Sequence, residues 1–258
     1  MVNVLFVPKQ TGHWAGFCYL RPVSCLLFTM KIYVIIPAFN EQDAIHKVIG
    51  DIPSGLVTET VVVSNGSTDA TEERARRAGA TVLREPQKGY GAACLKGMAY
   101  LADKPPAEQA DIVVFLDGDY SDHPEEMPKI LQPIQEDAYD MVIGSRALGD
   151  RQKGSMMPQQ RFGNWLATTL IRWLYGVTFT DLGPFRAIRY DKLLEIHMKD
   201  RNFGWTVEMQ VKAAKLGLRC TEVPVSYRQR IGVSKVTGTL KGTIMAGYKI
   251  LWTIFKLR

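Results

Sequence analysis

Downstream of Glu222 the chain has no acidic residue, while seven basic ones follow. The asymmetry extends further back: residues 186–258 hold 15 Lys and Arg against 5 Asp and Glu, whereas residues 1–185 hold 17 against 21. A basic pole of this kind points to an anionic partner, whether nucleic acid, a phosphorylated substrate or membrane headgroups. It has no interleaved aromatic stacking platform and no nucleic-acid motif, so no nucleic-acid partner is expected. The four cysteines, Cys18, Cys25, Cys94 and Cys220, fall at no metal-ligand spacing, which excludes a zinc module. A chain of this size needs no disulfide framework, and a reduced, intracellular setting is the expectation. No apolar run approaches the ~20 residues of a membrane-spanning helix. The four histidines, His13, His46, His123 and His197, show no paired spacing with acids or cysteines. Lys88-Gly89-Tyr90-Gly91-Ala92-Ala93 has no third glycine in the place that a dinucleotide fingerprint requires, which argues against a dehydrogenase. Internal repeats and low-complexity tracts are absent.

What is present fits a globular enzyme-sized chain of 258 residues, 46% hydrophobic, long enough for one large domain with a substantial core. Regular patterning begins at Met30. Residues 1–29 mix Pro, Gly, Trp and Cys without period and are read as an N-terminal extension outside the fold. From there short β-branched runs alternate with amphipathic stretches, the signature of an α/β domain with a largely parallel sheet. Strands are expected at 32–36 (ended by Pro37), 60–63, 80–83, 112–116, 140–144, 184–188 and 219–225. Helices are expected at 43–52, 69–78, 91–101, 162–175 and 206–216. Residues 238–257 form a basic amphipathic helix with Leu240, Ile244, Leu251, Ile254 and Phe255 on its apolar side and Lys241, Lys249 and Lys256 interrupting it. Such a helix is suited to lie on a membrane surface.

The chemistry concentrates where expected strands end. Asp117-Gly118-Asp119 follows the five apolar residues 112–116, and ligands of open parallel sheets bind at the carboxyl ends of strands. Two hard carboxylates at that spacing suit Mg²⁺ or Mn²⁺ sharing oxygens with a substrate phosphate; an acidic solvated turn is the plainer alternative. Ser64-Asn65-Gly66-Ser67-Thr68-Asp69 can face a nucleoside or simply form a turn and cap a helix. Pro37-Ala38-Phe39-Asn40-Glu41 ends the first strand in the same way.

In their order, PAFNE, SNGSTD, KGYGAA, LDGDYSDHP, GSR, DLGPFR and IGVSK resemble the family 2 glycosyltransferases of GT-A fold, and among them the polyprenol-phosphate (dolichol-phosphate) hexosyltransferases. The resemblance runs from about Met30 to Lys235. It implies a Rossmann-like, mostly parallel central sheet with helices on both faces over residues 30–236, followed by the membrane-associating helix at 237–258. It implies that Pro37, Ala38, Asn40, Glu41 and Asn65 hold the nucleoside, that Lys88, Gly89 and Gly91 pass close to the nucleotide, and that Asp117, Gly118 and Asp119 bind the diphosphate, with Asp117 and Asp119 as metal ligands. Arg186 is placed near the acceptor phosphate, and Glu208 on the helix facing the acceptor. The segment with Arg228, Arg230, Ser234 and Lys235 closes over both phosphates. The sequence departs from the family where Ser64 and Asn65 replace acidic residues, where Ser121 stands for a frequent Gln, and where Pro184 precedes Phe185. The implied activity is inverting transfer of a hexose, mannose or glucose, from a UDP- or GDP-sugar to a polyprenyl phosphate. The implied place is the cytoplasmic face of a membrane, with peripheral attachment. Two other readings stay open here: the same fold acting on a hydroxyl acceptor with Glu208 as base, and a non-catalytic nucleotide-sugar or lipid-phosphate binding protein.

Overall fold

The computed structural model describes residues 30–232 and 240–258. The extension at 1–29 and the site residues Ser234 and Lys235 lie outside the described residues. The elements follow the expected alternation: β1 (Ile32–Ala38), α1 (Ile45–Gly50), β2 (Glu59–Ser64), α2 (Thr71–Arg77), β3 (Thr81–Arg84), α3 (Tyr90–Ala102), β4 (Ile112–Phe115), α4 (Met127–Gln135) and β5 (Met141–Ser145). Then come α5 (Pro158–Tyr175), β6 (Arg186–Arg189), α6 (Tyr190–Ile196), α7 (Trp205–Lys215), β7 (Cys220–Pro224) and α8 (Leu240–Lys256).

The seven strands form one sheet in the order β3-β2-β1-β4-β6-β5-β7. All neighbours are parallel except β6, which runs antiparallel to both β4 and β5. Helices cover both faces, so the central strands are apolar on both sides and read as unbroken hydrophobic runs. Alternate residues of one strand enter different cores. Tyr33, Ile35, Val113 and Phe115 pack with Trp205 and Met209 of α7, whereas Val34, Ile36, Ile112 and Val114 pack with Val48 of α1 and Ile130 and Leu131 of α4.

Two differences from the sequence reading have physical causes. Pro37 does not end β1 but sits inside it, in register with Val63. The Ala38 carbonyl accepts from Asn65 N on the β2 side, so by strand alternation the Pro37 nitrogen faces β4. There the pairing has already stopped at Ile35 with Phe115, and no ladder bond is lost. Helix α4 was not expected, because Pro128 and Pro133 fall within its nine residues. Pro128 occupies the first turn, where no N–H partner is needed, and Pro133 the last, while Met127, Ile130, Leu131 and Ile134 still bury one face.

The chain leaves β1 for β2 and β3 on one side and returns to place β4 on the other. That reversal opens a crevice at the carboxyl ends of β1 and β4, where PAFNE and the two aspartates project.

Candidate active site

The crevice holds a cavity of about 330 Å³. Ten of the expected site residues line it: Pro37, Ala38, Glu41, Asn65, Lys88, Gly89, Asp117, Gly118, Asp119 and Arg230. The structure adds Phe39, Tyr90, Asn202 and Phe203. Phe39 and Tyr90 lay within recognised motifs, but Asn202 and Phe203 sit in a loop with no pattern to flag them.

Asn40, Gly91, Arg186 and Glu208 stand outside the lining. Asn40 takes up a left-handed backbone (φ 53°), and its Oδ1 accepts from Thr68 N at 2.8 Å. It therefore ties the β1 turn to the β2 turn behind the cavity. Gly91 is required because a Cβ there would run into the Asp200 carbonyl. The Ala92 amide donates to the Arg201 carbonyl at 2.9 Å, so the start of α3 is pressed directly against the 200–203 loop. Asn65 borders the cavity but uses its amide on the neighbouring loop. Its Nδ2 donates to the Glu85 and Gln87 carbonyls (3.1 and 2.7 Å), and its Oδ1 accepts from Gly89 N (2.7 Å). The expected base contact by this side chain is replaced by a structural one: Asn65 shapes the wall on which Lys88 and Gly89 stand.

Arg186 is corrected more sharply. As the first residue of β6 it is fully buried (0% exposed), with its guanidinium donating to the Leu182, Gly183 and Thr206 carbonyls. Burial lowers its pKa to about 10. It braces the floor and faces no cavity where a phosphate could sit. The arginines that do face one are Arg230 and Arg146, the latter from the GSR motif, to which the sequence assigned no role. Arg146 Nε and Nη2 form a bidentate pair with Asp181 at 2.7 Å, and its backbone N–H adds a third bond to the same carboxylate. It lies 5.0 Å from the Tyr227 ring centre.

Glu208 is 4% exposed and also engaged. Its carboxylate accepts from the amides of Lys199 and Asp200, the latter at 2.6 Å, and pairs with Lys212 at 2.7 Å. It secures the loop that carries Asn202 and Phe203. A base must reach its proton, and this carboxylate is taken up by the Lys199 and Asp200 amides and by Lys212. Glu208→Gln is therefore expected to leave kcat within about 10-fold and to act chiefly on donor KM, whereas loss of a general base costs roughly 10²-fold or more. Steady-state kinetics with both substrates varied decides between the two.

The acidic centre is dense. Tyr90 Oη donates to Asp117 Oδ1 at 3.0 Å. Burial raises the Asp117 pKa against the opposing pull of Arg230. Asp119 Oδ1 accepts from Ser121 N (2.9 Å) and Ser121 Oγ (2.5 Å), and its Oδ2 forms an ion pair with Arg230. Asp122, 2% exposed, is pushed up to about 7 by burial and by the Asp117 charge. The Arg230 segment is pinned edge-on to this turn: Ile231 N donates to Asp119 O and Arg228 N to Ser121 O. Arg228 lies 3.4 Å from the Tyr120 ring centre and donates to the Tyr120 and Asp122 carbonyls, so it positions the turn and is not free for phosphate.

Among the described residues no three His, Cys, Asp or Glu converge as a ready metal cage. Two carboxylates beside a cation that already occupies Asp119 Oδ2 nonetheless fit a hard divalent ion, which binds through one or two carboxylates and completes its shell with phosphate oxygens and water.

A second cavity of about 300 Å³ adjoins the first, and Tyr90, Asp117, Phe203 and Arg230 line both. Its far wall is Arg146 and Tyr227, with Ala246, Gly247 and Ile250 of α8. The two cavities thus meet at Asp117 and Arg230.

Comparison with known proteins bears on the family and the fold. A curated, uncharacterised glycosyltransferase of Mycobacterium tuberculosis is 35% identical over 217 residues, spanning 83% of this chain and 94% of that protein. The dolichyl-phosphate hexose transferase of Haloferax volcanii is 34% identical, with 79% and 85% covered. The undecaprenyl-phosphate mannosyltransferase of Micrococcus luteus is 27% identical, with 83% and 90% covered. Among solved structures, glucosyl-3-phosphoglycerate synthase of M. tuberculosis in complex with Mn²⁺, UDP-glucose and phosphoglyceric acid superposes with a TM-score of 0.69 at 25% identity, covering 88% of this chain and 79% of that one. These neighbours have the GT-A fold that the ordered motifs imply. Residues 33–196 match the profile of glycosyl transferase family 2, and on that match, together with the relatives above, the chain belongs to this family.

Proposed function

We propose that the protein moves a hexose from a nucleoside diphosphate sugar to a polyprenyl phosphate, with inversion, at a membrane surface. The observation that carries this reading is the lining of the second cavity. Its only carboxylate among the described residues is Asp117, which belongs to the diphosphate side and takes the Tyr90 hydroxyl, while Arg146 and Arg230 face the same space. A hydroxyl acceptor needs a base there. A phosphate monoester is already ionised at neutral pH and needs only cations to hold it.

In the proposed step, an acceptor phosphate oxygen attacks the anomeric carbon as the bond from that carbon to the diphosphate oxygen breaks. The nucleoside diphosphate leaves with the electron pair, and no proton has to move. Arg146 orients the acceptor phosphate, and Arg230 neutralises charge developing between the two substrates. Mg²⁺ or Mn²⁺ bound by Asp117 and Asp119 would supply charge neutralisation on the departing diphosphate. Pro37, Ala38, Glu41, Lys88 and Gly89 form the donor wall.

The lipid side is supported by the outer surface. On α8 the outward residues are Ile244, Met245, Tyr248, Trp252 and Phe255, and on α5 they are Phe162, Trp165 and Trp173, all at least half exposed. These helices pack against each other beside the second cavity. No described helix is long and apolar enough to cross a membrane; in this proposal the pair lies flat on the surface, with the aromatics at headgroup depth. The inner, cytoplasmic face is part of this proposal. The apolar side differs from the one read from sequence: Ile254 is buried against the domain, and Lys249 pairs with Asp200 at 2.8 Å instead of facing lipid. The polyprenyl-phosphate acceptors named for two relatives support the same acceptor class.

The test is a panel of GDP-mannose, UDP-glucose and UDP-N-acetylglucosamine offered with a polyprenyl phosphate, with Mg²⁺ or Mn²⁺ and with chelator. A lipid-phosphate-linked hexose formed only with metal is the expected product. Transfer confined to diacylglycerol, a sterol, a saccharide or 3-phosphoglycerate would overturn the acceptor assignment.

A further inference from the structure

A third cavity, about 550 Å³, runs along α5 and adjoins the second at Met156 and Asn164, which line both. Arg151, Arg161 and Arg172 all line it. Elsewhere arginines are generally paired, as Arg74 is with Asp43, Arg189 with Asp137 and Arg219 with Asp140. These three have no ion-pair partner among the described residues. The only acidic residue in the lining is Asp181, and Arg146 already holds its carboxylate. Three exposed guanidinium groups without an acidic partner give this concavity a positive field, and guanidinium binds phosphate through paired, directional hydrogen bonds.

The shape and setting specify the anion. Arg161 and Arg172 are eleven residues apart on α5, about 16 Å along the axis but on one stripe of the helix. The cavity is therefore a groove along α5, too long for a single small phosphate. Its rim is aromatic: Trp165, 58% exposed, lines the groove, and Arg161, Phe162 and Trp165 together line the shallow depression next to it. Trp173, 76% exposed, lies one residue beyond Arg172. Basic groups under a rim of exposed tryptophan match the headgroup layer of a bilayer, where aromatic rings sit at the interface and phosphates lie at the same depth.

We propose that this groove, which meets the second cavity at Met156 and Asn164, binds the phosphates of anionic phospholipids in the bilayer through its three arginines. The proposal rests on the membrane placement above and adds a lipid-charge preference to it. Substrate would then be met only on membranes rich in anionic lipid, with α5 held at the headgroups while its other side lines the acceptor cavity.

Cosedimentation of the full chain tests this, using vesicles of phosphatidylcholine alone and vesicles that also contain phosphatidylglycerol. Wild type is expected to favour the mixed vesicles. The double variant R161Q/R172Q should lose roughly 30-fold in binding to them, from about a fivefold contribution per basic residue near an anionic surface, while binding to phosphatidylcholine is kept. A control pair on α2, R76Q/R77Q, should change neither. An equal loss in the control, or no loss in the groove variant, overturns the proposal. So does release of wild type from mixed vesicles by glycerol phosphate well beyond what sodium chloride of equal ionic strength achieves, because the groove would then serve a soluble phosphomonoester. Transfer in nonionic detergent should be unchanged in R161Q/R172Q; a fall there would assign the arginines to the acceptor site instead. If wild type binds neither vesicle, the membrane placement itself fails. If it binds both equally, only the groove assignment does.

Discussion

Asp119→Asn is expected to lower kcat for hexosyl transfer by 10³-fold or more while the protein stays folded. Removal of one well-placed electrostatic group from a transfer site typically costs roughly 10²–10³-fold, and Asp119 serves two such groups. Its Oδ2 anchors Arg230, and the carboxylate is one of two hard ligands offered to a divalent ion. An amide keeps the size and still accepts from Ser121 through Oδ1, so the turn after β4 should persist. What it places in front of Arg230 is a second donor, and the guanidinium loses its hold. Turnover measured with saturating donor and polyprenyl phosphate, alongside a circular dichroism melt, gives the answer. A folded Asp119→Asn protein that retains more than a tenth of wild-type kcat would place the chemistry elsewhere.

Asp181→Ala is expected to be the most destabilising single change near the site. Asp181 is 1% exposed and is the sole ion-pair partner of Arg146 among the described residues. Removing one member of a buried pair leaves an uncompensated charge and costs about 3–5 kcal/mol. For a domain of this size that corresponds to a fall in Tm of about 10 °C. Replacing both members, as in R146M/D181A, removes the stranded charge and should recover part of the loss, although acceptor binding would suffer because Arg146 faces the second cavity. A thermal melt of the three proteins tests the argument. If Asp181→Ala melted within 2 °C of wild type, Arg146 would have to find another partner or water, and the rigid acceptor wall would be wrong.

The central strands were legible because they are buried on both faces. Residues 32–36, 60–63 and 112–116 have no polar alternation to obscure them, and their carboxyl ends locate the crevice before any side chain is placed. The acidic pair and the donor wall followed from that position. What sequence order does not contain is direction. DLGPFR marks Arg186 as notable, but only the antiparallel register of β6, with Arg186 opposite Phe115 and Ile143, turns the side chain into the floor. Glu208 is similar. Val207, Glu208, Met209 and Gln210 are consecutive and all buried, so α7 has no solvated face there, and a carboxylate on it must be internally satisfied. Arg146 could have been found by asking what neutralises Asp181, a question that needs tertiary contact to answer. The helix at 240–256 was placed correctly in sequence but its apolar side was rotated, because a residue such as Ile254 that packs on the domain looks the same in a helical pattern as one that faces outward.

Lys249 carries a consequence for how this protein can be cut or shortened. Its ammonium holds Asp200, whose backbone meets α3 at Gly91, and Gly204 at the start of α7 is wedged between Asp200 and Thr253 of α8. Ala246, Gly247 and Ile250 are at the same time a wall of the second cavity. The C-terminal helix is thus no detachable anchor of the kind that can be trimmed for solubility with the enzyme left whole. A truncation before Leu240 removes a wall of the second cavity and unseats the loop that carries Asn202 and Phe203, so the helix proposed to meet lipid is also part of the candidate site.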